Sequence, residues 1–130
     1  MSYNYTFRDE NDLWEAEYKV DATRTFYTNE RGALDVDTWA DEALIVAYKG
    51  KVQELASVRH VIISYESAHS GGRHETTYEE GEHLNSKVIK LLSGGSGFPE
   101  EEDVIKVTIQ MDDDIQTLEL TTDKHKFETY

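Results

Sequence analysis

Asp37-Thr38-Trp39-Ala40-Asp41-Glu42-Ala43-Leu44-Ile45-Val46-Ala47-Tyr48-Lys49-Gly50-Lys51-Val52-Gln53-Glu54-Leu55-Ala56 is the stretch on which the fold turns. Leu44, Tyr48, Val52 and Leu55 recur at helical spacing. Asp37 suits an N-cap, and Asp41 and Glu42 place negative charge in the first turn. Against this stand Gly50, inside the pattern, and the β-prone run Leu44-Ile45-Val46. Those features favour a hairpin of 43–48 and 52–57 turning at Lys49-Gly50. The periodicity predicts a helix over 38–56, with the hairpin as its rival.

Upstream, the pattern is that of strands. Tyr3, Tyr5 and Phe7 alternate with Asn4, Thr6 and Arg8, and Trp14, Ala16, Tyr18 and Val20 alternate with Glu15, Glu17 and Lys19. One apolar face at period two marks a half-buried strand. The polar Asp9-Glu10-Asn11-Asp12 joins the two as a hairpin loop. Residues 24–28 read as a third strand by their β-branched and aromatic content. Asn29-Glu30-Arg31-Gly32 then turns the chain. The five rings of Tyr3, Tyr5, Phe7, Trp14 and Tyr18 are expected to pack under a helix, or, if uncovered, to form a partner patch.

Downstream, 58–66 is a strand, central because Val61-Ile62-Ile63 is apolar on both faces. Ser70-Gly71-Gly72-Arg73 turns, and 74–78 returns as a short strand. Thr77 and Glu80 have capping-box spacing. Leu84, Val88, Leu91 and Leu92 then make one helical face, with Lys87 and Lys90 near its end and Gly94 as its stop. Ile105, Val107, Ile109 and Met111 begin a C-terminal hairpin, which turns at Asp112-Asp113-Asp114 and returns over 115–121. Residues 123–130 form a polar tail. The expected architecture is α+β, a mostly antiparallel sheet with two helices packed on one face. One domain spans 1–130.

Composition narrows function. The chain has 130 residues, no cysteine, and 13 basic against 27 acidic residues, a net charge of −14. No thiolate metal site, disulfide or cysteine nucleophile is open to it. Direct binding of nucleic acid or an anionic membrane face is disfavoured, since both rest on clustered Lys and Arg. No apolar run reaches membrane-spanning length and no leader peptide is visible, so a soluble, cytoplasmic protein is expected.

Half of the acidic excess sits in residues 93–130, which hold 10 acids and 3 bases. Glu100, Glu101, Glu102 and Asp103 precede the C-terminal hairpin, and Asp112, Asp113 and Asp114 form its turn. Paired acidic patches of this kind suit a basic protein partner. The leading expectation is a non-enzymatic binding protein, an acidic inhibitor or immunity-type protein with nucleic-acid mimicry as a variant. No cofactor is required by this reading.

Two alternatives compete. His69, His74 and His83 lie among Glu75, Glu79, Glu80 and Glu82, a ligand set for zinc or a non-haem metal, although their spacing matches no metal signature. A metal-dependent enzyme would use them. The other alternative is a structural or assembly subunit, possible as a homo-oligomer. Ser70-Gly71-Gly72-Arg73 and residues 93–97 lack the phosphate-loop pattern and read as turns.

Overall fold

The computed structural model describes residues 2–68 and 71–122. Among them are eight strands: β1 (Ser2–Glu10), β2 (Trp14–Thr28), β3 (Leu34–Tyr48), β4 (His60–Glu66), β5 (Gly71–Thr77), β6 (Val88–Gly95), β7 (Ile105–Met111) and β8 (Asp114–Leu120). A single-turn 3-10 segment, Val52–Leu55, links β3 to β4. The strands form two antiparallel four-stranded sheets, ordered β1-β2-β3-β6 and β5-β4-β7-β8.

This overturns the α+β expectation. The described chain is 64% strand and 3% helical, with no helix of seven residues or more. Both expected helices are strands. Residues 38–48 belong to β3, and 88–95 are β6. The rival hairpin over 43–57 is right only in its first strand, since Val52–Leu55 coils instead of returning.

A spacing of four is the physical reason for the error. Residues four apart share a face in a helix, and also in a strand, because four is even. Leu44 and Tyr48 lie on the same side of β3, and Val88 and Leu92 on the same side of β6. Glu42 hid the alternation further. It points inward with Ala40, Leu44 and Val46, and is only 6% exposed. The outward residues Ala43, Ile45 and Ala47 are also apolar, so neither face reads as solvent-facing.

The two sheets enclose one core. Phe7, Trp14, Tyr18 and Leu44 from the first sheet meet Ile63, Val107, Ile109 and Leu120 from the second. Each such side chain contributes on the order of 1.5–3 kcal/mol by leaving water. The N-terminal rings therefore pack under a second sheet, with Tyr18 and Tyr65 at 5.3 Å between centroids.

One long edge of the sandwich is stitched shut. Arg8 and Thr121 exchange backbone hydrogen bonds of 2.9 and 3.2 Å, joining β1 to the end of β8. One end is closed by the connection from β6 to β7. Phe98 and Pro99 are buried there, Phe98 packs on Tyr3, and the Arg24 guanidinium lies over both rings at 5.1 and 5.3 Å. Tyr5 donates its hydroxyl hydrogen to the Pro99 carbonyl. Burial pushes the Tyr5 hydroxyl up to about 12, helped by the charges of Glu100 and Glu101.

Candidate partner-binding surface

β2 and β3 are 15 residues each, far longer than their neighbours. β1 pairs with β2 only as far as Thr23, and β6 with β3 only as far as Ala40. Beyond those points β2 and β3 pair, among the described residues, with each other alone, from Arg24 opposite Thr38 to Thr28 opposite Leu34. This two-stranded arm projects roughly 17 Å at the strand rise of about 3.4 Å. Its tip is held by Asn29, whose carboxamide oxygen accepts from the backbone N–H groups of Arg31 and Ala33. Gly32, at φ 78°, supplies the left-handed residue that the tip requires.

The inner face changes character at the arm. Ala22 and Ala40, opposite each other, are fully buried. Four residues further out, past the Arg24–Thr38 pair, Phe26 stands opposite Val36, and both are exposed, at 55% and 41%. Leu34 is 74% exposed. The apolar inner stripe thus continues past the layer that covers it. On the outer face, Asp35, Asp37 and Asp41 lie along β3 with Trp39 between them, and Tyr27 stands opposite Asp35. Tyr27 donates to the Asp35 carboxylate at 3.3 Å and Trp39 to Asp41 at 3.1 Å. The charges of Asp35 and Asp37 raise the Tyr27 hydroxyl above its ordinary value.

The acidic residues singled out from sequence do not converge. Glu100, Glu101, Glu102 and Asp103 precede β7, while Asp112, Asp113 and Asp114 follow it, so the length of that strand separates them. Several serve local structure. Asp103 accepts from the backbone N–H of Glu100 at 2.8 Å, and Glu100 lies 3.8 Å from Arg24. Asp112 has φ 54° and accepts from the N–H groups of Arg59 and His60 at 3.1 and 3.0 Å. It ties the β7–β8 turn to the start of β4. Asp114 accepts from Gln116. The narrower labels of inhibitor and nucleic-acid mimic gain no support from this placement.

The histidines fare similarly. His74 on β5 contacts the Thr76 hydroxyl at 3.1 Å, and His83 donates to the Leu84 carbonyl at 3.3 Å. His69 lies outside the described residues. His60 instead meets Glu75 at 2.9 Å. Among the described residues no three His, Asp or Glu side chains stand close enough to hold a metal ion.

A buried polar pair sits in the core itself. The Tyr18 hydroxyl donates to Glu42 at 2.8 Å. Burial raises the Glu42 carboxyl above its ordinary value, against the opposing effect of that hydrogen bond. Burial and the Glu42 carboxylate also raise the Tyr18 hydroxyl. Glu42 has been taken out of water by the sheets and given one partner, a costly arrangement that orients β3 against β2.

The arm was missed from sequence although a signal was present. Leu34, Val36 and Thr38 alternate with Asp35, Asp37 and Trp39, a period-two pattern facing that of 24–28 across the Asn29–Gly32 turn. The helix assigned over 38–56 cut this pattern short. The fold and surface define an antiparallel β-sandwich bearing a two-stranded arm that no described residue covers on its apolar face. No protein-family model, curated protein or solved structure matches the chain. No helix among the described residues is long and apolar enough to cross a membrane.

Proposed function

We propose that the chain is a non-enzymatic binding protein that grips a protein partner with the β2–β3 arm. The supporting observation is the exposed inner face of the arm, Phe26, Leu34 and Val36. A solitary two-stranded ribbon is marginal in water, and apolar side chains at its surface are favoured only when something covers them. Aromatic and aliphatic anchors framed by charge are the usual anatomy of an interface. The partner surface is basic as well as apolar, because Asp35, Asp37 and Asp41 line the other face of the arm and the chain carries −14 overall. Opposite charge steers the encounter, and the apolar face holds the complex.

The test is capture of basic proteins from lysate by the full chain and by a Leu34→Ser, Val36→Ser variant. Capture by the parent chain alone supports the reading. Equal capture by both sinks it. Raising salt from about 50 to 500 mM, which shortens the screening length about threefold, weakens this capture.

A further inference from the structure

β6 is an edge strand, paired on one side with β3 and on the other with no strand among the described residues. The β1–β8 side is stitched by the Arg8–Thr121 bridge, whereas no backbone pairing joins β5 to β6 among the described residues. A groove of about 270 Å³ runs there between Arg73 and His74 of β5 and Lys90 and Leu92 of β6, with Tyr65 also lining it. The edge has one guard, the outward-facing Lys90, since β6 contains no proline and places no charge inward. It exposes Val88 and Leu92, at 51% and 73%. Its charge is opposite to that of the molecule. Residues 83–99 contain Lys87 and Lys90 and not one acid.

The arm and this edge are complementary in three respects. Both offer unpaired strand backbone. Both expose apolar side chains. One carries carboxylates and the other ammonium groups. We propose that the β3 strand of the arm in one copy adds, parallel, to the β6 edge of a second copy. The alternation fits: the backbone groups pointing away from the neighbouring strand lie on Leu34, Val36 and Thr38 of the arm and on Val88, Lys90 and Leu92 of β6. In a parallel pairing with Leu34 beside Ile89 and Val36 beside Leu91, apolar pairs fall on the inner faces, and Asp35 then stands beside Lys90 on the outer faces. Cross-strand pairs of both kinds favour a register, and a one-residue slip reverses every side chain. The inner face of the arm continues over the partner's open corner, where Phe26 finds cover.

The contact joins two different surfaces, so each copy keeps a free arm or a free edge, and the assembly grows as a ring or a chain. This inference rests on the arm being a docking element, and names a second copy as what it docks on. Two copies of charge −14 repel at long range. Salt screens that repulsion, so self-association holds or tightens as salt rises, unlike capture of a foreign basic protein.

The experiment is analytical ultracentrifugation of the full chain from low micromolar to millimolar concentration, with two variants. Leu34→Asp with Val36→Asp spoils the arm, and Lys90→Asp with Leu92→Asp spoils the edge. All four positions lie outside the buried core, and circular dichroism checks that each variant folds. The parent chain is expected to gain mass with concentration. Each variant alone is expected to stay monomeric, its dissociation constant raised by about tenfold or more. An equimolar mixture is expected to stop at a heterodimer, because it holds one intact arm and one intact edge per pair. Should either variant unfold, Asp35→Lys and Lys90→Asp serve as a charge-reversal pair, in which the mixture again restores association. A parent chain that is monomeric throughout, or a mixture that fails to associate, overturns the inference. If the parent stays monomeric yet its capture of a foreign basic protein depends on Leu34 and Val36, the docking reading survives and only the second copy is lost.

Discussion

The lower and upper halves of β2 and β3 obey one pattern and meet two fates. From Trp14 to Ala22, and from Ala40 to Val46, every second residue is buried under the other sheet. From Phe26 to Thr28, and from Leu34 to Val36, the strands run on with apolar side chains that no described residue covers. Phe26, Leu34 and Val36 are as apolar as the buried residues below, although Arg24 and Thr38 interrupt the stripe. What changes is that the second sheet and the Phe98–Pro99 connection end. A strand face is apolar because of what it will meet, and here half of that meeting lies outside the molecule.

Four substitutions, three in β3 and one in the β7–β8 turn of the covering sheet, set the packed region against the arm, in decreasing order of effect on the fold. Leu44→Ala leaves a void between the sheets and is expected to cost about 3–4 kcal/mol in urea unfolding, within the usual range for a buried leucine. A loss below about 1 kcal/mol would mean the lower half is not a packed core. Asp112→Ala removes two hydrogen bonds to a carboxylate and leaves a left-handed backbone without its stabilising side chain, for about 2 kcal/mol. Asp112→Asn, which keeps an acceptor, is expected to recover most of it.

Glu42→Gln sharpens the comparison through pH. The Glu42 carboxyl is raised in the fold, so the native state holds its proton more firmly than the unfolded chain. Its contribution is therefore favourable at low pH and is lost as pH rises from the ordinary carboxylate range through the raised value. The variant lacks this loss and keeps an acceptor for Tyr18. Above that window it is expected to be the more stable by about 1 kcal/mol, since a buried charge has been removed. Thermal melts of both proteins across pH 4–8 read this directly, and parallel curves would show that Glu42 is ordinarily hydrated. Leu34→Ser has the smallest expected effect on the fold, within about 0.5 kcal/mol, because the side chain is exposed. A large loss of stability there would mean that the arm supports its own molecule.

The strands with one polar face were legible in the sequence. β1, the first part of β2, β7 and β8 are of this kind; β4 is apolar on both faces and was legible because its apolar run is short and β-branched. The Asn29–Gly32 turn was also legible. β3 and β6 were not, for the same reason. Both are apolar on two faces, one because it is central and the other because its outer face is exposed yet apolar. Four-residue spacings then imitate a helix. Glu42 compounds this, since an acid at an inward position looks like a solvent-facing one until Tyr18 is placed beside it. The acidic clusters were found as sequence features, but their separation by the length of β7 depends on the hairpin's direction across the sandwich. The arm depended on recognising β3, and was lost with it.

Amide hydrogen exchange along β2 and β3, measured in dilute and in concentrated solution, tests the central claim most directly. The account predicts slow exchange in 14–22 and 40–47 under both conditions, and fast exchange in 24–28 and 34–38 when dilute, slowing on concentration together with 88–95. Arm amides already slow in dilute solution, or equally fast at every concentration, would contradict it.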